Sequence, residues 1–289
     1  ILLFLFLALG GITYNGIRTI QQQVKQAVDI EQPTSATAYE MDVNLLRIVV
    51  GVLGYLQDRD QTHLDQINQG KEGFKQAHAD YDRLVNSERG KALGEEGRKL
   101  FARFEAIAET IVKRDDEQHQ KTKLLFEAIG KWETLLSGYM KMATASDAVM
   151  DATQAQAYLK LKAIAGMETS LGVAQRLLGD YIQTHDSSYE NRIEEQRRKF
   201  NQFFEAYTQL PLSSQEKEWA TQLRQVSDQN VELTDAIITL EKQNVADIAQ
   251  FIKLRGDLGN TVLYDGIIKT AGEHLSESKA KAIMAVKTA

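Results

Sequence analysis

The stretch YEMDVNLLRIVVGVLGYLQDRD, residues 39–60, sets Met41, Leu45, Ile48, Val52 and Tyr55 at three- and four-residue spacing. That period belongs to an α-helix with one buried face. Shifted 126 positions along the chain without a gap, the stretch falls on AGMETSLGVAQRLLGDYIQTHD, residues 165–186. Met41 meets Met167, Leu45 meets Leu171, Val52 meets Leu178 and Tyr55 meets Tyr181. The same offset pairs Asp60 with Asp186, Ile67 with Ile193, Phe74 with Phe200, Tyr81 with Tyr207 and Ser87 with Ser213, and Leu93 then falls on Trp219. Large core-type residues held in register over roughly 50 positions imply a duplicated helical unit.

Punctuation divides each unit into three helices. Asp60 and Asp186 stand where a side-chain oxygen caps the next helix, and SSQE at Ser213–Glu216 has the form of a capping box. The expected helices are A (12–57), B (60–85) and C (90–144), with copies A′ (147–184), B′ (187–209) and C′ (213–289). Apolar residues recur at helical spacing almost throughout, and alternating segments are nearly absent, so the fold class is all-α. At 1.5 Å per residue C would span roughly 80 Å and B only about 40 Å. Helices so unequal do not fit one bundle. The expected architecture is therefore elongated, with two stacked four-helix bundles: residues 18–115 with 245–289, and residues 116–244. Pro33 lies inside helix A and is expected to kink or break it near residues 32–34.

The opening run ILLFLFLALGGITYNGI has no charge before Arg18 and does not begin with methionine. A bilayer-spanning helix needs about 20 apolar residues. Residues 1–17 are thus expected to be the end of a transmembrane helix in a longer protein, a cleaved signal peptide or a core helix being the alternatives. Elsewhere the composition is acidic, with a net charge of −6, no cysteine and two prolines. This speaks against nucleic-acid binding, a disulfide scaffold or a zinc ribbon.

Catalytic motifs are missing. None of His63, His78, His119, His185 and His274 follows a glutamate at the spacing a di-iron bundle requires, and there is no cysteine nucleophile or phosphate-binding glycine loop after a strand. No enzyme activity, cofactor or metal is expected. The charge runs RDDEQHQK (114–121) and EEQRRK (194–199) are expected to be solvated faces or turns. Tyr55, Tyr81, Tyr181 and Tyr207 recur at repeat-equivalent positions and are expected to be packing residues.

Departures from the repeat carry more functional weight. Arg47 stands where the second unit has Val173, on a stripe that includes Asn44, Gly51 and Gly54. Two readings are open. Glycines leave space beside a guanidinium whose planar donor fork suits a carboxylate. Alternatively the glycines permit close helix packing and Arg47 reaches solvent or an acidic neighbour. A second cation, Arg255, lies in FIKLRGDLGNTVLYDG (251–266) with Asn260 and Thr261 one to two turns on. For the second bundle the candidate is Arg176, with Lys160 and Lys162 behind it.

An uncharged helix end, the 39–60 helix, a duplicated three-helix unit and a final helix directed back toward the chain start resemble the helical bimodular sensor domains of bacterial chemoreceptors and sensor histidine kinases. That resemblance implies an extracytoplasmic, periplasmic domain of an inner-membrane receptor, anchored by transmembrane helices and working as a homodimer. It also implies a partner: a small organic anion bound between helices, or a periplasmic binding protein docked on the surface. The signalling modules are expected beyond Ala289.

Overall fold

The computed structural model describes residues 18, 21–144 and 152–288, and among these the chain is helical with no strand. Seven α-helices follow in order: α1 (Gln32–Asp58), α2 (Gln61–Leu84), α3 (Glu88–Thr144), α4 (Ala152–Thr184), α5 (Ser188–Thr208), α6 (Ser214–Gly256) and α7 (Lys269–Thr288). Two π-helical segments accompany them, Ala27–Glu31 before α1 and Asp257–Ile268 between α6 and α7. The expected transmembrane end at 1–17 lies outside the described residues. No described helix is long and apolar enough to cross a membrane.

Helix boundaries follow from local chemistry, and the repeat extends to them. Asp60 Oδ1 accepts the Thr62 N–H at 2.8 Å, and Asp186 Oδ1 accepts the Ser188 N–H at 2.9 Å. The residue before each aspartate, Arg59 or His185, turns the chain out of the preceding helix with φ of 59° and 57°. A left-handed residue at a helix end satisfies carbonyls of the last turn, and Arg59 N–H indeed donates to Tyr55 O. At Ser213–Glu216 the capping box forms: Ser213 N–H donates to Glu216 Oε2 at 2.7 Å and Glu216 N–H donates to Ser213 Oγ at 3.2 Å.

The helices form two compact units, Ile1–Lys113 with Ala246–Ala289, and Arg114–Val245. The first has one continuous core. Met41, Leu45 and Ile48 of α1 face Phe74 of α2, Phe101 and Phe104 of α3, and Phe251 of α6, all buried. Phe74 stacks on Phe101 with centroids 3.8 Å apart, and Phe104 on Phe251 at 4.4 Å. Each fully buried ring contributes about 1.5–3 kcal/mol.

In the second unit the core is divided. Trp132, Met167, Phe200, Tyr207 and Trp219 form one apolar cluster, and Leu125, Leu178, Tyr181, Ile193 and Ile237 form another. All four repeat-equivalent tyrosines are buried, as packing residues should be.

Pro33 does not break its helix. It cannot donate to Asp29 O, its α-helical acceptor, and the chain absorbs that loss by widening to π geometry over Ala27–Glu31 while staying helical. Thr34 Oγ1 meanwhile donates to Ile30 O at 2.5 Å. The second π segment has its own sequence cause. Its buried residues fall in two rows, Leu258, Val262 and Gly266 in one and Gly259, Leu263 and Ile267 in the other. Both rows repeat every four residues. A spacing of four exceeds the α-helical period of 3.6 and falls short of the wider π period, so a π segment between two α-helices offsets the drift of such rows from the core.

Candidate functional site

Arg47 is exposed, and its Nη1 donates to Asn44 Oδ1 at 3.1 Å. Asn44 lies against Gly73 of α2. The space beside Gly51 and Gly54 is filled by protein. A Cβ on Gly51 would sit 2.7 Å from Ile67 Cγ1 and 2.9 Å from His63 O, and one on Gly54 would meet the His63 ring. On α2, Gly70 answers with a close approach to Ile48 and Asn44 O. These glycines let α1 and α2 touch backbone to backbone, as in the second of the two readings left open by the sequence.

Arg255 is only partly exposed. Its Nη2 reaches Asp42 Oδ1 at 3.2 Å, and its Nε is buried with no hydrogen-bond partner. Asn260 and Thr261 are both exposed on the second π segment. The structure therefore ties Arg47 to Asn44 and Arg255 to Asp42, and does not join the two arginines through a shared contact. Arg176 is exposed on α4. Lys160 Nζ donates to both oxygens of Glu216, at 2.8 and 2.9 Å.

The second unit holds a half-open cavity of about 230 Å³ between α4, α5 and α6. Leu171 and Phe200 from one apolar cluster and Ile193 from the other form part of its wall. Apart from Ala174 and Val231, its remaining lining is polar. Ser170, Ser227 and Asn230 are buried, and Thr234 stands one turn beyond Asn230. Asn230 is 3% exposed, and neither its Nδ2 nor its Oδ1 has a hydrogen-bond partner. A buried amide without partners costs about 1–3 kcal/mol, so native interiors seldom keep one without cause.

Charge is arranged at the wall. Arg197 Nη2 donates to Asp235 Oδ1 at 2.6 Å, and Arg224 Nη1 donates to Asn201 Oδ1 at 2.8 Å. The side chains of both arginines line the cavity together with Glu194 and Asp228. The run EEQRRK is thus not wholly a solvated face, because Arg197 turns inward to α6.

Carrying the 126-residue offset beyond Leu93 and Trp219 would have exposed this site. Phe101, Phe104 and Ala108, buried core residues of the first unit, fall on Ser227, Asn230 and Thr234. The repeat fold accepts apolar residues at all three positions. The polar replacements in the second unit are what divide its core.

Elsewhere the titratable groups are held by one another. Burial raises the Glu216 carboxyl, but its bonds from Lys160 and Ser213 outweigh that, and it titrates below its ordinary value. Burial pushes the Tyr139 hydroxyl up to about 12. His185 Nε2 meets Glu241 Oε1 at 2.6 Å, and Gln118 bridges Glu241 to Asn244. No group of three or more metal-ligating side chains is found among the described residues. No protein-family model, curated protein or solved structure matches this chain.

Proposed function

We propose that this chain is the extracytoplasmic sensing domain of a membrane-anchored bacterial receptor and that its second helical unit takes a small organic anion into the cavity at Asn230. The observation that carries the proposal is the unpartnered Asn230 amide, placed where the repeat puts Phe104. Asn230 Nδ2 can donate to a carboxylate and Oδ1 can accept from a hydroxyl of the same molecule. The Arg197 and Arg224 guanidiniums at the wall can donate to an anion in exchange for the Glu194, Asp235 and Asp228 carboxylates they hold without it. A small hydroxycarboxylate meets all of these demands.

A half-open cavity between three helices also suits a sensor. A ligand shifts a conformational equilibrium only by its difference in affinity between two states, and a guest bridging helices contacts each state differently. The test is a thermal-shift and calorimetric screen of small carboxylates against the 289-residue chain. At 100 times its dissociation constant a ligand adds about 2.7 kcal/mol of stability. Asn230→Leu should abolish the response while helicity is kept. A panel that produces no shift, or a shift unchanged in the variant, would sink the proposal.

A further inference from the structure

The first unit contains a half-open cavity of about 360 Å³ bordered by residues of both π segments. Ile30 and Glu31 come from the first segment, Gly266 and Ile267 from the second, and Tyr81 closes a side. Glu31 is 7% exposed. Its two polar contacts are long and converge on one oxygen: Gln26 Nε2 at 3.4 Å and His274 Nδ1 at 3.5 Å, both to Oε1. A carboxylate so far removed from water is costly unless a cation meets it.

The rest of the wall defines the guest. Ile30, Val85, Leu93 and Ile267 are apolar, Thr34, Asn86, Ser87 and Thr270 are polar, and Tyr81 borders the space. Tyr81 has already committed its hydroxyl proton to Gly90 O at 2.9 Å, so it does not donate into the space. Among the described residues no third carboxylate or histidine joins Glu31 and His274 to make a metal site. A buried carboxylate in a space lined by both apolar and hydroxyl or amide side chains suits an ammonium group, which can donate to several of those oxygens at once, on a short apolar body.

We propose that the cavity between the two π segments binds a small organic ammonium ion, with Glu31 as its counter-ion. This site is independent of the anion cavity at Asn230, with which it shares no residue. Wide π turns bring it about, because they let Glu31 and Gly266 border the same space.

The probes are phenethylammonium chloride, its neutral isostere 2-phenylethanol and the anion 3-phenylpropionate, each titrated calorimetrically into the 289-residue chain. Phenethylammonium should bind with one-to-one stoichiometry, and the other two at least ten times more weakly. Glu31→Gln should weaken phenethylammonium roughly 30-fold or more, the loss expected when one member of a buried charge pair is removed. Thr270→Trp, which fills the cavity and keeps the carboxylate, should block binding even if Glu31→Gln fails to fold. Asn230→Leu should leave it unchanged. Equal binding of the alcohol, no binding of the ammonium ion, or binding that survives Thr270→Trp would each overturn the assignment.

Discussion

Arg197 Nη2 donates to Asp235 Oδ1 at 2.6 Å, and 126 positions earlier Lys71 Nζ pairs with Glu109 in the same way, second helix to third. The pair is therefore a property of the repeat, although Arg197 also lines the anion cavity. Both acids are more than half exposed, Asp235 at 57% and Glu109 at 63%. Water screens such pairs, and a double-mutant cycle with Arg197→Met and Asp235→Asn should give a coupling of about 0.2–1 kcal/mol. In 1 M salt the coupling should shrink further. A value above about 2 kcal/mol would show that the pair is desolvated and serves as a structural clamp.

The glycines divide into two groups with opposite expected effects. Gly51→Ala places a methyl 2.9 Å from the His63 carbonyl, a backbone atom that cannot swing aside. Overpacking of this kind costs about 1–3 kcal/mol, more than the roughly 1 kcal/mol that alanine gains in helix propensity. Gly130 and Gly138 of α3 have no atom within 4 Å of such a methyl. There Gly→Ala should stabilise by up to about 1 kcal/mol. Urea denaturation of the three variants checks the contrast, and a neutral Gly51→Ala would show that α1 and α2 are free to part.

Much of the local architecture was legible because it depends on short-range chemistry. The caps at Asp60, Asp186 and Ser213, the buried tyrosines and the seam at Met41, Leu45 and Ile48 all follow from residue type and spacing. The anion cavity was hidden for a different reason. Ser227, Asn230 and Thr234 read as ordinary polar helix residues until their first-unit counterparts prove to be Phe101, Phe104 and Ala108. Arg47 departed from the repeat more conspicuously, but a cation at a helix surface departs at little energetic cost. An amide substituted for a core phenylalanine departs at high cost. The π segments were illegible to a reading that assumed one helical period, since Pro33 was expected to kink or break the helix and a widening of its turns was not foreseen.

Glu216 links stability to pH. Its bonds from Lys160 and Ser213 hold its carboxyl below the ordinary glutamate value in the folded chain. A carboxyl with a depressed folded value contributes stability that is present above its unfolded value and lost as pH falls through the folded one. Glu216→Gln should accordingly lower the unfolding free energy at neutral pH by about 1–3 kcal/mol. The difference from the parent chain should vanish as the solution is acidified below the usual carboxylate range. A gap that persists undiminished in acid would assign the loss to packing around Tyr139 and not to charge.

Asn230 sets function against stability. Replacing it with leucine removes two unpartnered polar atoms from a position the repeat fills with Phe104. Asn230→Leu should therefore raise the unfolding free energy of the ligand-free chain by about 1–3 kcal/mol. Phe104→Ala in the first unit should lower it by about 3–5 kcal/mol, since a ring stacked 4.4 Å from Phe251 leaves a cavity behind. Chemical denaturation with and without a hydroxycarboxylate separates the two effects. The parent chain should gain stability from the ligand, while the more stable Asn230→Leu chain should gain none. If Asn230→Leu instead destabilises the ligand-free chain by more than about 1 kcal/mol, the amide is held by ordered water as part of the core, and the cavity is not a ligand site.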